Sequence, residues 1–99
     1  MIRGTTPTLE FVIPFDTSQL AQAHVTLSQN GKFVIDKALE ECRCSENKLS
    51  VRLTQEETLK LQCDCITEIQ IRAKFSSGDA VASNIVRVST GRILKDGVI

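Results

Sequence analysis

The dipeptide Asn30-Gly31 stands between two segments whose residues suit β-strands. In the segment before it, Ala23–Gln29, apolar and polar residues alternate, and the segment after it, Lys32–Lys37, carries Phe, Val and Ile. Alternation with a period of two places one set of side chains on one face of a strand. Asn-Gly favours a tight hairpin because both residues tolerate a positive φ. The sequence therefore predicts a β-hairpin here, with its return strand at Lys32–Lys37.

The same alternation predicts strands elsewhere in the chain. It recurs in three further segments, Leu9–Ile13, Leu49–Leu53 and Ile69–Phe75. A fourth segment, Ala80–Ser89, carries apolar residues on both faces. That pattern indicates either a β-bulge or burial on two sides.

Helix is expected mainly in one place. Thr54 and Glu57 have the spacing of a capping box, in which each side chain accepts a hydrogen bond from the other residue's backbone N–H. The sequence therefore predicts a helical turn after Thr54. Asp16-Thr17-Ser18 is typical of a turn or a short cap, and the acidic segment Asp36–Glu46 has no regular pattern.

These elements predict an all-β fold. Six to seven short strands with one helical turn indicate a single domain, residues 1–99, built as an antiparallel two-sheet sandwich of immunoglobulin-like type. A chain of this length buries roughly 60–70% of its unfolded surface, which is enough for one core without a metal or a disulfide. The chain has four phenylalanines, Phe11, Phe15, Phe33 and Phe75, and most of them are expected at core-facing positions.

Composition excludes several classes of function. Lys plus Arg and Asp plus Glu number 12 each, so the formal net charge is zero. A neutral chain is a poor binder of nucleic acid or of anionic membranes, both of which attract clustered cations. The sequence has no Trp or Tyr on which a sugar could stack, and no small-molecule substrate is expected. The first residues lack the apolar core of a signal peptide, so a cytoplasmic location with reduced thiols is expected.

All four cysteines occur as two Cys-x-Cys pairs, Cys42–Cys44 and Cys63–Cys65. On an extended backbone, residues two apart point to the same face, so each pair is expected to present two sulfurs side by side. Four thiolates can hold zinc, and the distance between the pairs resembles that between zinc half-sites. Cysteine also packs as a small hydrophobe, and the preferred interpretation is structural thiols with no bound metal. Zinc binding and disulfide formation both stay open as alternatives.

No residue pattern indicates catalysis, so the chain is not expected to be an enzyme. His24 is the only histidine, and nothing in the sequence places a nucleophile and an orienting carboxylate beside it. The paired carboxylates Glu40-Glu41 and Glu56-Glu57 are adjacent residues that point apart, and they are expected to be solvated. No phosphate-binding loop, nucleophile elbow or zinc-protease motif occurs. The sequence therefore assigns no catalytic, cofactor-binding or metal-binding residue, and no cofactor.

The C-terminal segment has four aliphatic residues after the last predicted strand, namely Ile93, Leu94, Val98 and Ile99. Exposed aliphatic side chains favour association. Two placements are expected. Either Arg92–Leu94 forms a last strand on the chain's own sheet, or the segment pairs with a neighbouring subunit by strand addition.

Four stretches of the sequence resemble a known family of proteins. They are Ile2–Thr8, Pro14–Ser18, Leu53–Leu59 and Ala82–Ile85. They look like parts of small structural proteins that tailed phages and prophages of Firmicutes encode. They are similar to the immunoglobulin-like N-terminal domain of siphophage baseplate upper proteins.

The resemblance implies a phage or prophage structural protein, a tail or baseplate assembly or adaptor module that works by protein–protein docking. Its expected partners are other phage structural proteins or a second copy of itself. Its expected location is the cytoplasm of the bacterial host during assembly, and then the virion. The alternative function is a small four-cysteine metal-binding module.

Overall fold

The computed structural model describes residues 1–99, which form eight strands, one α-helix and two 3-10 turns. The strands are β1 (Thr8–Val12), β2 (Leu20–Gln29), β3 (Lys32–Ala38), β4 (Arg43–Ser45), β5 (Lys48–Arg52), β6 (Ile66–Phe75), β7 (Ala80–Ala82) and β8 (Val86–Ser89). The helix is α1 (Gln55–Leu59), and the 3-10 turns cover Thr17–Gln19 and Leu39–Glu41. None of these helical segments has the length and apolar character that crossing a bilayer requires.

The strands form two antiparallel sheets. The small sheet has the order β1-β5-β4, and the large sheet has the order β3-β2-β6, with β7 and β8 both paired to β6. Both sheets contribute to one apolar cluster, in which Leu27 of β2 and Leu49 of β5 are fully buried. Full burial of such a side chain stabilises the fold by about 1.5–3 kcal/mol. The predicted two-sheet all-β sandwich is confirmed.

The hairpin turn lies where the sequence predicts it. Asn30 and Gly31 have φ values of 52° and 76°, and they join β2 to β3. Gln29 and Lys32 form the first pair of the ladder. A two-residue turn with positive φ at both positions matches the twist of the flanking strands, which explains why Asn-Gly occurs here.

A β-bulge lies just beyond this turn, and it changes which residues face the core. Ser28 pairs with Phe33, but the next residue of β2, Leu27, pairs with Ile35. Val34 is the extra residue on β3, and an extra residue breaks the alternation of faces. Ile35 therefore points inward, while Phe33 is 83% exposed. Phe33 pairs with Ser28, which faces outward because its neighbours Leu27 and Gln29 are buried, so the expected core position of Phe33 is wrong.

The other phenylalanines divide between core and surface. Phe75 is buried and Phe11 is half-buried against the core, as predicted. Phe15 packs its ring edge-on against Phe75, with centroids 4.8 Å apart, but the residue as a whole is exposed. The expected core position is therefore wrong for Phe15 as well as for Phe33.

The segment predicted as one last strand is interrupted. β7 and β8 lie end to end along β6, and the N–H of Ser83 between them donates to the carbonyl of Ile71 at 2.9 Å. The register shifts by one residue across the interruption, so Val81 and Val86 both lie on the core-facing side. The predicted single strand is therefore two short strands, and the register shift between them explains why apolar residues occur at both odd and even positions.

The acidic segment Asp36–Glu46 is more regular than predicted. It contains the end of β3, a 3-10 turn and the short strand β4, which pairs with β5. Three residues are too few to show an alternating pattern. The capping box of α1 is confirmed, since Thr54 Oγ1 accepts from the Glu57 N–H at 3.1 Å and Thr54 N–H donates to Glu57 Oε1 at 2.9 Å.

Candidate functional site

The first cysteine pair lies next to β4. Cys42 is extended and half-buried against the core, and its thiol donates to the Ala38 carbonyl at 3.3 Å. Cys44 lies on β4 and is exposed. Burial raises the pKa of the Cys42 thiol, and the neighbouring Cys44 and Glu41 add to the effect. A raised pKa keeps this sulfur protonated, which opposes both metal binding and nucleophilic reactivity.

The second cysteine pair lies in a turn before β6, so the expected extended geometry is wrong here. Asp64 between the two cysteines has a φ of 58°. Its N–H donates to the Thr90 carbonyl at 2.9 Å, and the Thr90 N–H donates to the Cys65 carbonyl at 3.0 Å. Cys63 is exposed and Cys65 is half-buried. The turn therefore holds the end of β8 through its backbone rather than presenting two sulfurs.

The four thiols are free, and they do not form a cluster. No three side chains among the His, Cys, Asp and Glu residues lie close enough together to hold a metal ion. The residues of the four-cysteine alternative are thus not brought together in this structure.

His24 has a carboxylate partner that the sequence did not reveal. Its Nδ1 lies 3.1 Å from Asp36 Oδ2, and Thr26 Oγ1 donates to Asp36 Oδ1 at 3.0 Å. The bulge at Val34 brings Asp36 opposite Thr26 on the outer face of the large sheet. The Thr26 hydroxyl bonds to the Asp36 carboxylate rather than to the His24 imidazole. The arrangement therefore lacks the contact between nucleophile and base that a catalytic triad requires.

The expectation that the paired carboxylates are solvated is wrong for Glu57, which bonds to Lys37, and Glu41 also lies 3.7 Å from Lys37. Lys37 of β3 is buried, and its Nζ lies 2.9 Å and 3.0 Å from the two Glu57 carboxylate oxygens. Burial alone would lower the pKa of Lys37, but the hydrogen bonds and charges of Glu57 and Glu41 outweigh it and raise that pKa. Burial would raise the pKa of Glu57, yet the Thr54 N–H and the Lys37 ammonium lower it. The Lys37–Glu57 pair connects the large sheet to α1 and has a structural role.

Strand β1 has one free edge. It pairs with β5 only, and the Ile13 N–H donates to the Asn47 carbonyl at 2.9 Å just beyond the strand. Hydrogen-bonded and non-hydrogen-bonded positions alternate along an antiparallel ladder. The backbone N–H and C=O groups of Glu10 and Val12 therefore point away from β5, toward the free edge.

Strand β7 also has a free edge. It pairs with β6 only, and the Phe75 N–H donates to the Asp79 carbonyl at 2.9 Å at the start of this ladder. By the same alternation, the backbone groups of Ala80 and Ala82 point outward. β1 and β7 thus offer two unpaired strand edges.

An apolar groove of about 400 Å³ lies between these two edges. Residues of β1 and β7 line it together with Ile71, Ala73 and Phe75 of β6, and Glu10 is its only charged lining residue. The large sheet is one strand position wider than the small sheet, so its β7–β8 edge is incompletely covered. Val81 and Val86 lie on the core-facing side of that edge, yet they are 41% and 50% exposed.

The C-terminal segment forms no strand, so the expected last strand at Arg92–Leu94 is wrong. Gly91 makes an isolated parallel bridge with Ile2. Beyond it, an ion pair between Arg3 and Asp96 at 3.0 Å holds the segment against the N-terminal residues.

Two further bonds fix the chain end, because the Ile99 N–H donates to Gln55 Oε1 at 2.8 Å and the Ile99 carbonyl accepts from Gln55 Nε2 at 3.1 Å. The backbone is therefore held in place while the Leu94 and Ile99 side chains remain over 90% exposed.

Comparison of the chain with protein-family models, with curated proteins and with solved structures gave no match.

Proposed function

We propose that this chain is a structural protein of a tailed phage or prophage, an assembly or adaptor module of the tail or baseplate that works by docking to other proteins. One observation carries the proposal. Two unpaired strand edges, β1 and β7, border an apolar groove that the chain's own residues leave open.

The chemistry of this groove favours a polypeptide as its ligand. An extended segment can bond to the free N–H and C=O groups of a strand edge, while alternate apolar side chains fill the space beside it. Most residues that line the groove are apolar, and Glu10 adds one carboxylate. Small-molecule sites instead add several convergent polar groups that fix orientation.

The remaining clusters support a structural role better than a catalytic one. The His24–Asp36–Thr26 group lies on an open sheet face, and its hydroxyl does not contact the imidazole. Lys37 and Glu57 neutralise each other between β3 and α1. No observation favours the four-cysteine metal-binding alternative, which is therefore not proposed.

The test is genetic and uses the bacterium that encodes the chain. After induction, purified particles and assembly intermediates are analysed by mass spectrometry, and the experiment is repeated with the gene deleted. The proposal expects peptides of this chain in particles or intermediates, and a loss of complete tails in the deletion strain. Complete, infectious particles in normal yield without the gene, together with absence of the chain from every assembly fraction, would contradict it.

A further inference from the structure

We infer that the partner in the groove is a second copy of this chain, whose C-terminal segment 92–99 inserts its exposed Leu94 and Ile99 side chains between β1 and β7. The inference rests on the proposed docking function and names the occupant. It assigns the contact to two different surfaces of the same molecule, the groove and the C-terminal segment.

The two surfaces lie at opposite ends of β6. The groove involves Ala73 and Phe75 at the end of this strand, whereas the C-terminal segment follows Thr90, whose N–H bonds to Cys65 just before Ile66. Ten residues of strand span about 30 Å, and the molecule is 46 Å long. The segment therefore lies far from the chain's own groove.

Both surfaces carry apolar side chains that the monomer leaves in water. Val12, Phe15 and Val81 are exposed along the groove, and Leu94 and Ile99 are exposed on the C-terminal segment. Burying one such side chain is worth about 1.5–3 kcal/mol. A contact between the two surfaces removes both sets of apolar side chains from water at once.

The charges of the two surfaces are complementary. Glu10 lines the groove and Asp79 directly precedes β7, whereas Arg92 and Lys95 lie on the C-terminal segment, whose Asp96 is neutralised by Arg3 of its own chain. The side chains of Glu10, Asp79, Arg92 and Lys95 are exposed and lie outside every ion pair. Lys48, which pairs in register with Val12, adds one positive charge near the groove. The chain as a whole has zero net charge, so long-range repulsion between copies is small.

A contact between two different surfaces is heterologous. It leaves a free groove at one end of each dimer and a free C-terminal segment at the other, so copies add head to tail. The product is a ring where the rotation closes and an open filament where it does not. A two-fold dimer is not expected.

The experiment uses two variants of the full chain and measures mass by sedimentation velocity. Val81→Asp blocks the groove, and the double variant Leu94→Ser, Ile99→Ser removes the exposed aliphatic side chains of the C-terminal segment. Val12→Asp is a second groove variant, at a position exposed outside the core. The groove is small, about 400 Å³, so the contact is expected at the weak end of protein interfaces. The measurements therefore extend to a protein concentration of about 1 mM.

The wild-type chain is expected to grow beyond a dimer as its concentration rises. Each variant alone is expected to remain a monomer of 10.9 kDa. A mixture of the groove variant and the C-terminal variant is expected to form a 1:1 dimer that grows no further, because one intact groove and one intact C-terminal segment remain. High salt is expected to weaken the contact.

Three results overturn the inference. They are a wild-type chain that stays monomeric or stops at a dimer at about 1 mM, variants that still self-associate, and a mixture that stays monomeric while the wild type self-associates. If the chain is monomeric and is nevertheless found in particles bound to a different protein, the second-copy inference fails and the proposed docking function stands.

Discussion

The ammonium of Lys37 lies 2.9 Å from a carboxylate oxygen of Glu57, and the same carboxylate accepts the Thr54 N–H that begins α1. One glutamate thus completes a capping box and neutralises a buried lysine. This contact connects β3 of the large sheet to the helix that follows the small sheet.

The variant Glu57→Gln is expected to destabilise the fold by about 1–3 kcal/mol at pH 7, because it removes the closer of the two carboxylates that neutralise the buried Lys37 ammonium, leaving Glu41 at 3.7 Å. Gln preserves the capping box, since its side-chain oxygen still accepts from Thr54. Urea unfolding at pH 7 measures the loss. Arg87→Ala is the control, since it breaks the exposed Arg87–Glu68 pair and should cost less than about 1 kcal/mol.

The contribution of this pair depends on pH in a defined direction. The folded pKa of Glu57 lies below its usual value of 4.5, so the stabilisation is present above pH 4.5 and is lost as pH falls through the folded pKa. The folded pKa of Lys37 lies above 10.5, so the stabilisation is complete below pH 10.5 and is lost as pH rises through that pKa. Below pH 4.5 the wild type should lose its advantage over Glu57→Gln. A constant difference between the two proteins from pH 7 to pH 2 contradicts this assignment.

The variant Phe33→Ser is expected to change the free energy of unfolding by no more than about 0.5 kcal/mol, because the Phe33 ring is exposed on the outer face of the large sheet. Phe75→Ala, at a buried position of β6, is expected to cost about 3–5 kcal/mol. Chemical denaturation of both variants compares the two positions directly. Equal losses would mean that Phe33 is a core residue and would contradict its position opposite Ser28.

The strands were predictable where alternation is unbroken, and the errors fall at irregularities. Asn30-Gly31 identifies the turn, but the local pattern does not show that Phe33 pairs with outward-facing Ser28, nor that the extra residue Val34 turns Ile35 toward the core. The register shift between β7 and β8 depends on how Ser83 bonds to β6, which is a tertiary contact. In both places the ladder rather than the local pattern decides which face a residue occupies.

Gln29 is expected to be the most sensitive polar position of β2. Its amide nitrogen donates to the Gln62 carbonyl at 2.9 Å and to the Thr67 hydroxyl at 3.1 Å, and its oxygen accepts from the Gln62 N–H at 2.8 Å. Gln29→Leu leaves the Gln62 carbonyl and N–H without this partner and should cost about 2 kcal/mol or more. Gln22→Leu, at an exposed position of the same strand, is the control and should cost less than about 0.5 kcal/mol. Similar thermal shifts for both variants would argue against this buried network.

The thiols are expected to react in an order set by burial. Cys44 and Cys63 are exposed and should be alkylated first, whereas the half-buried Cys42 thiol has a raised pKa and should react last. Peptide mapping after timed iodoacetamide treatment at pH 8 measures each rate, with Cys42→Ser as the control for peptide assignment. A Cys42 rate equal to that of Cys44 contradicts the described environment of Cys42.

The proposed docking surface was only partly predictable from the sequence. Exposed aliphatic residues in the C-terminal segment were evident, because Leu94 and Ile99 follow the last strand. The groove was not evident, since it arises from a difference in width between two sheets, and Val81 and Val86 have the residue type of covered core positions. Only the strand order reveals that nothing covers them.

The most direct test of docking through the groove is complementation of the gene deletion with two exposed-residue variants. Val81→Asp changes the groove, and Phe33→Ser removes the most exposed aromatic ring on the opposite edge of the large sheet. Both purified proteins are first shown to unfold at the wild-type temperature, and if Val81→Asp does not, Val12→Asp replaces it. The measurement is the yield of complete particles that contain the chain. We expect wild-type yield with Phe33→Ser and a large loss with the groove variant, whereas full yield with the groove variant would contradict the account.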